Sequence, residues 1–447
     1  MRAATLPDKP VLALTSGNRG FYIGSVKWRN QFLALFCLFA FFAFGVLYFR
    51  YWVIQKPFGI ILFIGEGFDA RTLASARMRA GGTESTLAID SLTYAALLKN
   101  YSADSATPDS AAAATAIATG KKVPNGTLAV DPEGQPLANL LELARETGRM
   151  TGLITDGSII APTAASFYGH AKAGEKPDLA RQMVESGEVD VVLGGGLAEF
   201  LPRAKGGHRA DDHDLLTAAR TAGYEILQTR EELEDVPRWR RAKVLGLFGD
   251  NDLAFVNESE SPSKQPTLSD MVRRGIELLQ FHRGGYLLVV DAALMRTAAS
   301  QGEGKWRAVA EFDRAISVAV QYTGNKSAIF VCSDVAAQHD NSSSRVPENS
   351  ILADAKAGNL PPTMTESPPG DDHSNDLAAL PSQSPFPPVP VPDQSPLERP
   401  VLAASLPVAA TPDTAEDVLA FGTGLGADAL HGVQENTALF EIIRDNL

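Results

Sequence analysis

Hydrophobic and polar positions along this chain come in blocks. Unbroken apolar runs, FGIILFIGEGF (58–68), MTGLIT (150–155), VDVVLGGG (189–196), AKVLGLFG (242–249), YLLVVDAA (286–293) and SAIFVCSD (327–334), read as strands buried on both faces. Between them, LANLLELARET (137–147), LSDMVRRGIELLQFH (268–282) and RAVAEFDRAISVAVQY (307–322) carry apolar residues at helical spacing. Strands alternating with helices predict an α/β fold, a mainly parallel sheet covered by helices on both faces. Ligand sites in such sheets collect where strands end.

One apolar run is of another kind. FLALFCLFAFFAFGVLYF, from Phe32 to Phe49, holds no charge and no proline, which is enough to cross a hydrocarbon core of about 30 Å. It reads as an uncleaved signal anchor over 32–54. A cleaved signal peptide fits less well, because the polar segment before it is long and FRYWVIQ, with no small-residue cleavage site, follows. Arg2, Lys9, Arg19, Lys27 and Arg29 precede the span and only Arg50 and Lys56 follow closely. By the positive-inside rule this predicts a single-pass protein with residues 1–31 in the cytoplasm and the main domain, 57–447, outside it, periplasmic in a bacterium.

Composition narrows the classes. A chain of 447 residues with 45% hydrophobic and 21% charged residues has the texture of a globular protein. A net charge of -13 disfavours nucleic acid, which needs clustered Lys and Arg. The only cysteines, Cys37 and Cys332, fall in the membrane run and in a core strand, so no intramolecular disulfide is expected. From about 341 to 411 the texture turns to Pro, Ser and Asp, as in PSQSPFPPVPVPDQSP, and predicts an exposed, largely unfolded insertion; a proline-rich docking site is the functional alternative.

The stretch TPDSAAAATAIATG, Thr107 to Gly120, supports two readings. Asp and Ser are preferred helix caps and alanine is the best helix former, so local physics explains the string. Alternatively, Ser110 sits where free N–H groups and the helix dipole favour an anion, as a phosphoseryl intermediate requires. Such a serine still needs a base or a metal to activate it.

IILFIGEGF, TPDSAAAATAIATGKK, PTAASFYGHA, DVVLGGGLAEFLP, KVLGLF, GYLLVVDAA, CSD and AEDVLAFGTG with LHGVQENT occur in the order of the alkaline phosphatase family, which the chain resembles over most of its length after residue 57. The resemblance implies an α/β sandwich whose strand ends hold two zincs and a magnesium, a serine that attacks phosphate monoesters, and an arginine that grips the phosphate.

Carried over residue by residue, the implied site is altered. Ser110 matches the nucleophile and Asp109 its preceding aspartate. Glu66 stands for a bridging aspartate, Thr163 for a magnesium ligand, Asp291 for magnesium's glutamate and Asp334 for a zinc carboxylate. Val335 replaces that zinc's histidine; Arg296 and Ser300 replace an aspartate and a histidine of the other zinc, whose last histidine falls on Asp413. Gly174 takes the place of the phosphate-gripping arginine and Ala161 that of a residue beside magnesium. No imidazole remains at these positions, although zinc sites draw on His and Cys. A further expectation is that the Arg296 guanidinium fills the vacated zinc position and pairs with Asp413. His339, shortly after Asp334, is a weak candidate replacement ligand; Gly194–Gly196 read as a tight turn without a P-loop lysine.

Two functions follow. The losses predict a protein impaired or inactive as a two-zinc enzyme that binds a phosphorylated small molecule or a protein partner; a homodimer is compatible with this. The alternative is a working phosphoryl or sulfuryl hydrolase using Ser110 and one Mg, Mn or Ca ion, because the remaining set is oxygen-only. A membrane-anchored scaffold, resting on the anchor and the insertion, overlaps with the first.

Overall fold

The computed structural model describes residues 22–48, 56–82, 84–175, 178–239, 243–255, 264–297, 303–336 and 415–447. The insertion expected at 341–411, and with it His339, Ser300 and Asp413, lies outside the described residues.

A helix spans Tyr22–Tyr48, and its Trp28–Tyr48 portion is long and apolar enough to cross a membrane. It starts earlier than the apolar run, because Tyr22–Gln31 holds no helix breaker but Gly24 and the hydrogen-bond pattern propagates through it. The last residues of the expected 32–54 span lie outside the described residues.

Among the described residues, those before Ala337 and Ala415–Leu447 form one compact unit, built on a ten-stranded sheet. Its strands are β1 (Gly59–Gly65), β2 (Tyr94–Lys99), β3 (Met150–Ser158), β4 (Val191–Gly195), β5 (Tyr224–Leu227), β6 (Lys243–Leu247), β7 (Tyr286–Ala292), β8 (Ser327–Cys332), β9 (Val418–Gly424) and β10 (Gly432–Glu435). The order across the sheet is β10-β2-β9-β8-β1-β7-β3-β4-β6-β5. Only β9 runs antiparallel to its neighbours, β2 and β8. Every apolar run named above as a strand is one, and every residue of β1, β7 and β8 is buried.

The pleat divides the core in two. Ile60, Leu62 and Ile64 of β1 pack on one face with Ile117, Leu140, Leu141, Leu439 and Ile443 from helices Ser110–Thr119, Leu140–Glu146 and Ala438–Asn446. Ile61 and Phe63 point the other way, toward Met271, Ile276, Phe312 and Ile316 of helices Leu268–Leu279 and Glu303–Thr323. This is the two-residue period of a strand serving two helix layers.

Register then fixes where chemistry can sit. Ile64 pairs with Asp291 on one side and Cys332 on the other, and Thr155 pairs with Asp291. The neighbouring strands β8, β1 and β7 therefore end within a residue of one another, β3 runs on to Ser158, and the polar residues Asp334, Glu66, Asp291 and Thr155–Asp156 are delivered to one edge. Adjacent strands lie about 4.8 Å apart.

The Ser110–Thr119 helix brings its first residue to this edge, where Ser110 meets Asp334, and packs its other end on the last helix. It closes on Gly120, which is left-handed at φ 69°, and a Cβ there would lie 2.4 Å from Phe440. Gly120→Val is expected to lower stability by more than the 1–2 kcal/mol, roughly, that the left-handed conformation alone costs a side chain, because Phe440 must also move. Thermal and denaturant unfolding of the variant against wild type checks this, and an unchanged midpoint would refute it.

Candidate active site

Asp109, not Ser110, caps the helix. Its Oδ1 accepts the Ala112 N–H at 2.8 Å, its Oδ2 accepts Gly126 N–H at 2.6 Å, and its own N–H donates to Asn125 Oδ1 at 3.1 Å. The reading in which Ser110 is the cap is corrected accordingly: the carboxylate reaches back to the free amides, which leaves the Ser110 hydroxyl available for other partners.

Those partners come from the strand ends. Ser110 Oγ donates to Asp334 Oδ2 at 2.6 Å, and Arg296 Nη1 donates to Ser110 Oγ. Asp334 also accepts Thr163 Oγ1 at 3.2 Å and Val335 N–H at 2.6 Å, while its carbonyl accepts Asn100 Nδ2 at 2.8 Å. Asn100 is itself approached by Asn436 Nδ2 at 3.1 Å. Val335 is buried and offers the carboxylate its backbone N–H.

Arg296 belongs to the short helix Leu294–Thr297 directly after β7. Leu294 N–H donates to Asp156 Oδ1 at 3.0 Å, which fixes the start of that helix. Asp291 is fully buried; its Oδ2 accepts Thr155 Oγ1 at 2.9 Å, whereas its Oδ1 has no hydrogen-bond partner.

Several carboxyl groups thus share one water-poor space. Burial, then the charge of Asp334, pushes Glu66 up to about 8 against the pull of Arg296 and a hydrogen bond from Thr163. Asp291 is raised well above the usual carboxylate range by burial and by Glu66 and Asp156. Asp334 is raised by burial, while Arg296 and the Ser110 hydroxyl hold it back. Asp156 is pushed to about 7 by burial, partly offset by the Leu294 N–H. One guanidinium does not neutralise this set, so protons make up the difference.

The structure brings Glu66, Ser110, Thr163, Asp291, Asp334 and Arg296 together and leaves Gly174 aside. Gly174 occupies an exposed left-handed turn, and nearby Lys172 Nζ is engaged with the Glu133 carbonyl at 3.1 Å. Ala161 precedes the turn of helix Pro162–Ala165 that carries Thr163. Arg296 meets Ser110; the pairing expected with Asp413 falls on a residue outside the described ones. Asn100, Thr155 and Asp156 were missed by sequence reasoning. Thr155 and Asp156 had a signal, since they close the apolar run MTGLI at a strand's carboxyl end; Asn100 had none.

These donors do not fit two zincs. Among the described residues no group of three or more His, Cys, Asp or Glu side chains is arranged to hold a metal ion. His170, His208, His213 and His282 have their contacts with Ala129, Glu199, Asp211 and Gly284 respectively. For one hard cation the donor chemistry is suitable, oxygen only, with Asp291 Oδ1 unpartnered. What the arrangement offers by itself is a serine hydroxyl donating to a carboxylate and accepting from a guanidinium.

A helix-borne serine facing carboxyl groups at the ends of parallel strands places the site on the carboxyl edge of an α/β fold. The family model described as alkaline phosphatase matches residues 59–447, and the chain belongs to the alkaline phosphatase family. Alkaline phosphatase H of Pseudomonas aeruginosa is 30% identical over 342 residues, 66% of this chain and 71% of its own. The tissue-nonspecific alkaline phosphatase of Gallus gallus is 29% identical over 332 residues, 63% of each chain. The chain spans less than two thirds of the length of the Gallus gallus, Saccharomyces cerevisiae and Bacillus subtilis proteins it matches, 63%, 53% and 45%. Among solved structures, the alkaline phosphatase of the Antarctic bacterium TAB5 superposes with a TM-score of 0.64 at 20% identity, covering 88% of this chain and 98% of that one. The Thermus thermophilus enzyme gives 0.64 at 22%, covering 88% and 92%. At these identities the superpositions establish the fold. A variant of the TAB5 protein carries magnesium in its M3 site.

The Asp156 carboxyl yields a pH prediction. Its folded pKa, about 7, lies above the value of about 3.9 expected in an unfolded chain. The folded state therefore holds this proton more tightly, and the associated stability is present at acid pH and lost as pH rises through about 7. Asp156→Asn, which keeps an acceptor for Leu294 N–H, is expected to gain thermal midpoint relative to wild type as pH rises from about 4 to 8. A difference constant with pH, or one moving the other way, would contradict the assignment.

Proposed function

We propose that this alkaline-phosphatase-family protein is impaired as a two-zinc phosphomonoesterase and acts as a ligand- or partner-binding protein carried on a membrane anchor, its main domain outside the cytoplasm. The family's reaction is phosphomonoester hydrolysis; the finer reading rests on one observation, the Arg296 guanidinium bonded to the Ser110 hydroxyl. Phosphoryl transfer needs fixed positive charge around the transferring oxygens. Here, among the described residues, the Arg296 guanidinium faces Glu66 and Asp334, and the inherited arginine position holds Gly174. Losing even one charge-stabilising group typically costs about 100-fold or more in rate. The membrane role rests on the apolar length of Trp28–Tyr48 and the basic residues before it. Its ligand is a phosphorylated small molecule or a protein partner.

The buried, unpartnered Asp291 Oδ1 favours a second reading, a hydrolase using Ser110 with one Mg, Mn or Ca ion. Turnover of p-nitrophenyl phosphate separates the two. The full chain in detergent, with Mg or Mn added, is expected to hydrolyse it at least about 100-fold more slowly than a two-zinc relative assayed in parallel, with no further loss in Ser110→Ala. Metal-dependent turnover abolished by Ser110→Ala would establish the second reading instead.

A further inference from the structure

We infer that Arg296 is the resident cation of this centre: its guanidinium supplies the positive charge that the Glu66 and Asp334 carboxyls require, and thereby closes the centre to divalent metal ions. The inference rests on the reading above that two-zinc chemistry is not in use, and extends it from what the centre lacks to what occupies it.

The geometry is specific. Arg296 is carried on a helical turn whose position is set from below, by β7, and from the side, by the Asp156 carboxyl holding Leu294 N–H at 3.0 Å. Its backbone N–H is tied to the Ala293 carbonyl at 3.1 Å. From this fixed base the side chain reaches Ser110 Oγ, which in turn donates to Asp334 Oδ2 at 2.6 Å. Arginine, hydroxyl and carboxylate form one chain of two hydrogen bonds running from cation to anion.

Charge points the same way. Glu66 and Asp334 are both stabilised as anions by Arg296. A guanidinium stays charged at any pH a folded protein tolerates, so it cannot make room for a metal by losing its proton as a histidine does. A divalent ion entering between the same carboxyls would meet a fixed positive charge at close range, in surroundings that screen poorly. Removing that charge takes from Glu66 and Asp334 the cation that the described residues give them, beside the unpartnered Asp291 Oδ1. Oxygen donors of this kind take up a hard cation.

The test compares wild type with Arg296→Lys, Arg296→Gln and Arg296→Ala, each as the full chain in detergent, dialysed to equilibrium against Mn2+ or Zn2+. Bound metal is quantified by elemental mass spectrometry, and thermal unfolding is followed with EDTA and with metal. Wild type and Arg296→Lys are expected to retain no stoichiometric metal and to show the same midpoint in EDTA and in Mn2+. Arg296→Gln and Arg296→Ala are expected to bind about one ion per chain, at least tenfold more tightly than wild type, with a midpoint that rises in metal. Arg296→Gln keeps the size and a donor, so it carries the test where the alanine variant does not fold. Wild type binding metal as tightly as the glutamine variant overturns the inference. Ser110-dependent turnover by a wild type free of metal, with the tenfold difference intact, would instead defeat the proposed function and leave the inference standing.

Discussion

Carboxyl groups gathered where water is scarce must be neutralised, and that constraint organises the carboxyl edge of this sheet. Glu66, Asp291 and Asp334 arrive there because β1, β7 and β8 run parallel in level register; no local preference of their own places them. Once there, each can be paired, protonated or bound to a cation. Arg296 answers for Asp334 and part of Glu66, and upward shifts in Glu66 and Asp291 account for the rest. Arg296 and these upward shifts together offset part of the negative charge that the carboxyl groups would otherwise carry.

Much of this was legible in the chain. Buried parallel strands are continuous apolar runs, so β1, β3, β4, β6, β7 and β8 announce themselves. The rest of the sheet does not. In β2, YAALLK, Ala95, Leu97 and Lys99 are exposed, so a strand with one solvated face is hard to tell by composition from a loop. β5 is four residues long, and β10, GVQE, is an edge strand with no apolar alternation. These strands are recruited by neighbours that pair with them, a tertiary effect that a one-dimensional pattern does not carry.

The site divides along the same line. Glu66, Asp291 and Asp334 end apolar runs and could be placed from the sequence; Arg296 could be seen as a cation standing where the family resemblance implied a ligand. That its guanidinium turns to Ser110 depends on the path of the Leu294–Thr297 turn, which Asp156 anchors from another strand. Asn100 was invisible because it acts through the Asp334 backbone carbonyl, a contact between residues far apart in the chain. Membership of a family whose fold superposes well does not bridge this gap, since fold is shared by centres with different chemistry.

Ser110 is where the two ways of reading the chain meet. Its place at the head of an alanine-rich helix invites the view that capping alone accounts for it, yet Asp109 does the capping with both carboxylate oxygens. An alanine at 110 would leave that cap whole. It would take from fully buried Asp334 Oδ2 the donor it has at 2.6 Å, where water does not substitute freely, and would remove the hydroxyl that Arg296 Nη1 meets. The hydroxyl thus has a structural use that needs no reaction: it is the neutral link between a buried anion and the cation that balances it. A serine held for this purpose and a serine held as a nucleophile look alike in sequence, and only their partners tell them apart.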